Sequence, residues 1–517
     1  MVHFGFSYVG LIYLTMLFVP NIIWAKNKPA DYENHVQKEN KVLLFLERIG
    51  EGLTSVCALI FSDLNIRVET VWSLWLLFSF LLMIFYELYW IRYFKSPKTM
   101  ADMYSGFAGF PVAGASLPCA AFFMLGIYGS NIFLIFSSII LSVGHIGIHL
   151  MHRNAVVEKT KSKKILRILR MILLIPVVAG LVLTIVAVAG RNINWFRNPI
   201  DTSKGINESV YVPIGGQDLY LLIRGRDVHN PVILYIHGGP AGPDSLISPV
   251  FTDPLIDDYT VVCWDQRGCG RSYFRNAGQD PENLTVNFGQ AVKDTDEVVD
   301  YIRTRFNKEK VILMCHSYGT VVGTNYIQEH SGKVAAYVGL GQFVNCRESD
   351  RLAYEDALTV ARSRGEDTSD LEKTYQDYLG GDSIVEYMAL RNATTKYHKA
   401  KNKANTPLLA LFSPYTGVND IRWVLKQIDL VKYQELERDL FNTTYYYDVY
   451  ERSLEFDVPM LFISGEKDYV CNCQLTRKFC DDLTAPRKEF YEVEGGGHTP
   501  HYETPEIVAE KVLNFLK

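Results

Sequence analysis

The sequence is poor in cysteine, and its cysteines have no ordered spacing. Nine in 517 residues do not spell a disulfide framework, and Cys471-x-Cys473 lacks the spacing of a zinc knuckle. No structural metal is expected at Cys471 and Cys473. A basic stripe is missing from the second half, where residues 201–517 hold 34 Lys+Arg against 47 Asp+Glu. That acidic balance argues against nucleic acid as a partner. The amino terminus lacks a basic n-region, and Ile23-x-Ala25 makes a poor cleavage site. Residues 4–24 therefore read as a retained helix rather than a signal peptide.

The first half is rich in long apolar runs. Residues 71–91, 107–128, 132–150 and 171–190 are each near the ~20 residues that a bilayer core requires, and residues 4–24 have similar length. Residues 42–61 are interrupted by Glu47, Arg48 and Glu51, so they read as an interfacial amphipathic helix ahead of a sixth span. Residues 1–200 hold 18 Lys+Arg against 10 Asp+Glu, and this excess sits at membrane flanks. Arg153, Lys159, Lys161, Lys163, Lys164, Arg167 and Arg170 crowd one short segment, and Arg92, Lys95 and Lys98 mark the same side two spans earlier. Both should face the cytoplasm. One more span carries the chain across, so everything after Arg191 is expected outside. Residues 1–195 are thus expected to form a multi-pass region of about five or six spans, with the lipid bilayer as partner. His145, His149 and His152 share one helical face. They are expected, with Glu87, to face neighbouring helices or headgroups, a metal or proton site being the alternative for the histidines.

From Ser209 the pattern changes. Val210-Tyr211-Val212, a Gly215-Gly216 turn and the run 219–223 predict an antiparallel hairpin. Short apolar runs at 231–236 and 259–264 suit strands buried on both faces, and further strands are expected at 311–314, 334–340, 459–464 and 489–493. Between them, Ala291, Val298, Val299, Ile302 and Phe306 fall on one side of a helix. The expected fold is α/β, a mainly parallel sheet with helices on both faces spanning residues 205–517. Residues 347–455 break the alternation with helical periods and are expected to form an inserted helical cap.

Cys315-His316-Ser317-Tyr318-Gly319 follows the apolar run at 311–314. It fits a strand that turns sharply into a helix around an exposed serine, as in the nucleophile elbow of an α/β-hydrolase. Cys315 stands where a glycine is usual and is small enough to fit. Serine needs a base to take its proton, and the base needs an orienting acid. In this fold the order along the chain is Ser, then Asp or Glu, then His, which gives Asp468, in Gly465-Glu466-Lys467-Asp468, as the acid and His498, after Gly495-Gly496-Gly497, as the base. The expected roles are nucleophile Ser317, general base and acid His498, and orienting carboxylate Asp468. His501 and Glu466 are the rivals. The oxyanion needs two N–H donors. One is expected from Tyr318 and the other from His237-Gly238-Gly239-Pro240, with Gly239 ahead of Gly238.

Together with Asp265-Gln266-Arg267-Gly268-Cys269-Gly270-Arg271-Ser272, these motifs resemble the proline iminopeptidase branch of the α/β-hydrolases over residues 205–517. The resemblance implies a cofactor-free serine hydrolase with a helical cap that cleaves N-terminal residues from small peptides or amides. Two departures limit it. The branch usually reads Gly-Gly-Ser-Trp-Gly at the elbow, and its cap glutamates, which hold the substrate's free amine, have no matching pair here. Glu348 and Glu355 are the possible substitutes, although both read more readily as solvated helix residues.

The expectation is a membrane-anchored serine hydrolase acting on a small peptide, amide or lipid-like molecule. An esterase or lipase-like activity is the alternative, and a non-catalytic receptor or binding module the rival class. Asn207, Asn283, Asn392 and Asn442 each begin an Asn-x-Ser/Thr pattern.

Overall fold

Alternation of burial along the strands builds the C-terminal part of the molecule. Val232, Leu234 and Ile236 pack into one apolar layer, while Ile233 and Tyr235 pack into the other. This is the period-two pattern of a strand covered on both faces. The computed structural model describes residues 2–29, 32–33, 39–67, 71–156, 164–381 and 383–517, with side chains of 71, 164–179 and 181 left aside. The chain divides into two units, Met1–Arg197 and Asn198–Lys517.

The second unit is an eight-stranded mixed sheet. Its strands are β1 (Ile206–Ile214), β2 (Gln217–Gly225), β3 (Val232–Ile236), β4 (Thr260–Asp265), β5 (Val311–Ser317), β6 (Val334–Gln342), β7 (Met460–Gly465) and β8 (Lys488–Val493). Their order is β1-β2-β4-β3-β5-β6-β7-β8. The β1–β2 hairpin pairs antiparallel, with Ile214 opposite Gln217, and β2 also runs antiparallel to β4. All later pairs are parallel. The helix Phe288–Phe306 is capped by Asn287, whose side chain accepts from the Gln290 N–H, and stops at Asn307 in the left-handed region. It lays Val298, Val299 and Ile302 on one face of the sheet beside Val321 and Val322 of helix Tyr318–His330. The opposite face is covered by Phe251, Leu255 and Ile256 and by Val508, Val512 and Phe515 of helix Pro505–Leu516. Between β6 and β7 the chain leaves the sheet for a run of helices, from Cys346–Ser363 to Arg438–Tyr446.

The first unit is helical. Tyr8–Ala25, Leu74–Lys95 and Ile132–Val156 are each long and apolar enough, by length and composition, to cross a membrane. Leu77, Phe78, Phe80, Leu81, Phe85 and Leu88 lie exposed along Leu74–Lys95, whereas Met83, Tyr86, Tyr89 and Tyr93 face inward. The apolar run 107–128 is helical only over Ala113–Tyr128. Phe107 and Phe110 exchange backbone hydrogen bonds, and Gly109 and Val112 take positive φ, so a tight turn consumes the start of the run. The amphipathic segment forms helix Lys41–Ile60, which packs closely along Ile132–Val156. A Cβ on Gly50 would stand 2.4 Å from the Leu141 nitrogen, and one on Gly144 2.3 Å from the Glu47 nitrogen. Glycine at both contacts lets the backbones meet. His145 Nδ1 lies 2.5 Å from Glu47 Oε1 and His152 Nε2 2.8 Å from Glu39 Oε1, so these histidines do face neighbouring residues. The run 171–190 lies within helix Lys164–Arg197. Residues 157–163 of the basic segment are outside the described residues.

Candidate active site

Ser317 ends β5 and opens the following helix with φ +51° and ψ −123°, a strained setting for a residue with a side chain. The turn is tight on both sides. A Cβ on Gly319 would lie 2.2 Å from the Ile236 carbonyl oxygen, so only glycine passes there. Cys315 occupies the other small position and is fully buried. It fits because Gly323, two turns into the helix, leaves room: a Cβ there would stand 2.5 Å from Cys315 Sγ.

The loops after β7 and β8 bring the other two groups to the serine. His498 Nε2 is 3.0 Å from Ser317 Oγ, and His498 Nδ1 is 3.0 and 3.1 Å from the two oxygens of Asp468. Nδ1–H donates to the carboxylate, leaving Nε2 free to accept the serine proton. Asp468 is itself fixed, because its Oδ1 accepts the N–H groups of Val470 at 3.0 Å and Cys471 at 2.9 Å. The Cys471 thiol beside this group is pushed well up by burial and stays protonated.

The two rivals lie elsewhere. Glu466 accepts from the Gly495 N–H at 2.9 Å and pairs with Lys467 at 3.0 Å, bracing the glycine loop. His501 is wholly buried, 3.2 Å from the Tyr235 hydroxyl and packed on the His316 ring. His316 Nε2–H donates to the His498 carbonyl at 3.0 Å. Burial, and then His498, depress the His316 pKa to about 3, so the ring is neutral and acts as a tether for the loop that carries His498.

The loop at 237–242 faces the serine. A Cβ on Gly238 would lie 2.8 Å from Ser317 Cβ, and Gly239 has φ +124°. Glycine is required at both, by close approach in the first and by backbone conformation in the second. The Asp265–Ser272 motif holds this loop from one side. Gln266 donates its N–H to His237 Nε2 at 3.2 Å and its side-chain amide to the His237 carbonyl at 3.0 Å. Asp265 accepts from Ser245 at 2.5 Å and from the Arg271 N–H at 2.8 Å. The inserted helices hold it from the other side. Tyr433 donates to the Pro240 carbonyl at 2.7 Å, and Trp423 and Gln427 donate to that of Ala241 at 3.0 and 3.3 Å. No local signal in the sequence marks these three residues, which lie more than 180 positions from their acceptors.

Glu348 and Glu355 both pair with Arg351 on a half-exposed helix face, and neither lines the cavity beneath the insertion. A different carboxylate from the insertion, Glu437, is fully buried, accepts from Asn283 at 2.8 Å and has its pKa pushed well up by burial. Asn283 is enclosed with it, whereas Asn392 and Asn442 are exposed. Among the described residues, Asp244, His316 and His501 form the group able to offer three ligand atoms within 4.8 Å. Asp244 accepts from the Tyr235 hydroxyl at 2.7 Å and from that of Tyr502. Its pKa is raised to about 7 by burial.

Comparison with known proteins agrees with this architecture. The profile of the family described as "alpha/beta hydrolase fold" matches residues 231–505. The chain is 26% identical over 323 residues to "Probable aminopeptidase YbaC" of Bacillus subtilis, covering 62% of this chain and 99% of that protein. It is 22% identical over 312 residues to "Proline iminopeptidase PfmaB" of Pestalotiopsis fici, covering 59% and 99%. A Haemophilus influenzae protein whose name places it with esterases and lipases is 22% identical over 300 residues, covering 56% and 85%.

Proposed function

The chain belongs to the α/β-hydrolase fold family, and we propose that it is a membrane-anchored serine hydrolase acting through Ser317, His498 and Asp468. The observation that carries this reading is the His498 imidazole, 3.0 Å from the Ser317 hydroxyl on one side and 3.0 Å from the Asp468 carboxylate on the other. In the proposed reaction Ser317 Oγ attacks the substrate carbonyl while His498 Nε2 takes its proton. The Tyr318 N–H and the N–H of Gly239, or of Gly238 as the alternative, stabilise the oxyanion. Collapse breaks the bond to the leaving group, which departs with the proton held by His498. Water, deprotonated by the same imidazole, then releases the acid and restores Ser317.

Small peptides or amides are the leading substrate class, in line with the names of the first two relatives. An ester is the second reading, favoured by the cavity between the inserted helices and the Gly239–Gly242 loop: among its lining residues there is no Asp or Glu to hold a free amine. Anchoring rests on the three long apolar helices and the apolar side chains exposed along them. The basic residues flanking these helices favour an extracytoplasmic catalytic domain.

The test compares aminoacyl 4-nitroanilides with short-chain 4-nitrophenyl esters, using the purified protein and Ser317→Ala. Ser317-dependent anilide turnover supports the amide reading, and ester turnover alone supports the second. Turnover that survives in Ser317→Ala, or no labelling of the serine by a fluorophosphonate, sinks the catalytic assignment in favour of a binding module.

A further inference from the structure

The insertion walls a cavity of about 260 Å³ whose other side is the loop at Gly239, Pro240 and Gly242. Gly238, next to Gly239 in the chain, packs against Ser317, so the loop that walls the cavity also flanks the serine. Its lining is aromatic, aliphatic and amide-bearing. Among the described residues that form it there is no Asp, Glu, Lys or His, and Arg391 alone carries a formal charge.

Arg391 comes from helix Ile384–Thr395 and lies over the Tyr387 ring, 4.1 Å from its centroid. Asp350 stands 3.5 Å from its Nε and is itself engaged by the Tyr378 hydroxyl at 2.9 Å. Both Nε and Nη2 are out of solvent; Nε has only this long contact to Asp350, and Nη2 has no hydrogen-bond partner among the described residues. One-fifth of the side chain stays exposed. A guanidinium has five N–H donors in a planar fork and no acceptor. Asp350 balances its charge, and Tyr387 fixes its plane, yet the Nη2 donor is left unfilled. Unmet donors beside an apolar wall are costly unless something else occupies them.

We propose that Arg391 makes this cavity an anion subsite, and that the acyl substrate cleaved at Ser317 carries a carboxylate. This rests on the serine-hydrolase reading above and narrows its substrate class. A carboxylate accepts two parallel N–H bonds from the fork, which a neutral group cannot match. A free ammonium would meet only like charge in this cavity. The class is therefore that of N-acyl amino acids and short peptides presenting a carboxylate end, or half-esters of dicarboxylic acids. Hydrolysis consumes one water and releases the free acid and the amine or alcohol.

The experiment compares paired substrates on the full-length protein. Butyryl and glutaryl 4-nitroanilides, with the matching 4-nitrophenyl esters, differ by a carboxylate on the acyl side. Butyryl 4-nitroanilide and butyryl 3-carboxy-4-nitroanilide differ on the leaving side. In at least one pair the carboxylate member should exceed its partner by at least about tenfold in kcat/KM. Arg391→Lys should retain part of that ratio. Because Asp350 would otherwise be left buried and unpaired, the charge is removed with Arg391→Gln and Asp350→Asn together, and the ratio should fall close to one. The same ratio in the double variant and the unaltered protein would overturn the proposal. Calorimetry of glutaric acid monoanilide on Ser317→Ala reads the subsite without any chemistry. Binding should be seen there and be lost when the Arg391 and Asp350 changes are added. Binding that is absent, or unchanged by those additions, overturns the subsite. Failure of Ser317 to label with a fluorophosphonate overturns the hydrolase reading instead.

Discussion

Helix Leu74–Lys95 in the N-terminal unit turns Leu77, Phe78 and Phe85 outward and keeps Tyr86, Tyr89 and Tyr93 inside. Helix Phe288–Phe306 in the C-terminal unit does the reverse, burying Val298, Val299 and Ile302 and exposing Lys293, Glu297 and Arg305. The same rule, that like surfaces seek like surroundings, produces both if the first helix meets hydrocarbon and the second meets water. The histidines differ in the same way. His145 and His152 are paired with carboxylates in an apolar helical setting. His237 and His316 are instead bonded to backbone groups around Ser317. One unit thus reads as an anchor with a few polar ties, and the other as a rigid frame for chemistry.

The comparison breaks most sharply at the catalytic groups. Ser317→Ala should lower turnover by on the order of 10⁴-fold or more, and Asp468→Asn by about 10⁴-fold, with unfolding midpoints little changed. Steady-state kinetics beside urea titrations check both. A loss of folding in step with activity would mean that these residues brace the frame rather than perform the reaction. On the anchor side, the full chain should enter the detergent-rich phase of a Triton X-114 separation, whereas residues 198–517 should stay in the aqueous phase. Equal partition of the two would remove the distinction between the units.

Smaller effects sharpen the frame. Folded His316 protonates only near pH 3, against its ordinary value of 6.5. Between these values the unfolded chain takes up a proton that the folded chain refuses, so this contribution to stability is present above pH 6.5 and lost as the pH falls. Asp244 runs the other way. With its pKa raised from 3.8 to about 7, it contributes most below pH 3.8 and loses that contribution as the pH rises through 7. Urea midpoints between pH 6.5 and 5 should therefore fall less on acidification in His316→Asn than in the unaltered protein, and more in Asp244→Asn. The smallest change is expected from Tyr433→Phe. It removes one hydrogen bond to the oxyanion-side loop, worth roughly 1 kcal/mol, and should lower kcat several-fold without altering the fold. An unchanged kcat would show that the insertion covers this loop without positioning it.

Local spacing made much of the frame legible. The β1–β2 hairpin followed from its Gly-Gly turn, the apolar run at 311–314 sits inside β5, and the run at 459–464 overlaps β7 from Met460 on. Ser317, Asp468 and His498 were readable as residues at strand ends, and the folded chain brings them within 3.1 Å. Contacts across long separations were not legible. Nothing near Tyr433, Trp423 or Gln427 announces the carbonyls of Pro240 and Ala241, since such contacts depend on where the insertion lands. Arg391 likewise looks like an ordinary helix residue until the cavity around it is seen. Hydropathy overran at 107–128, because it counts Phe107 and Phe110 as apolar but is blind to the turn that Gly109 and Pro111 impose.

The most direct measurement is the mass of the protein and of its peptides after reaction with a fluorophosphonate, with and without His498→Ala. The geometry predicts one adduct, on Ser317, forming at least about a hundredfold more slowly when the imidazole is removed. An adduct on another residue, or equal labelling of the two proteins, would contradict the assignment of Ser317 and His498 as nucleophile and base.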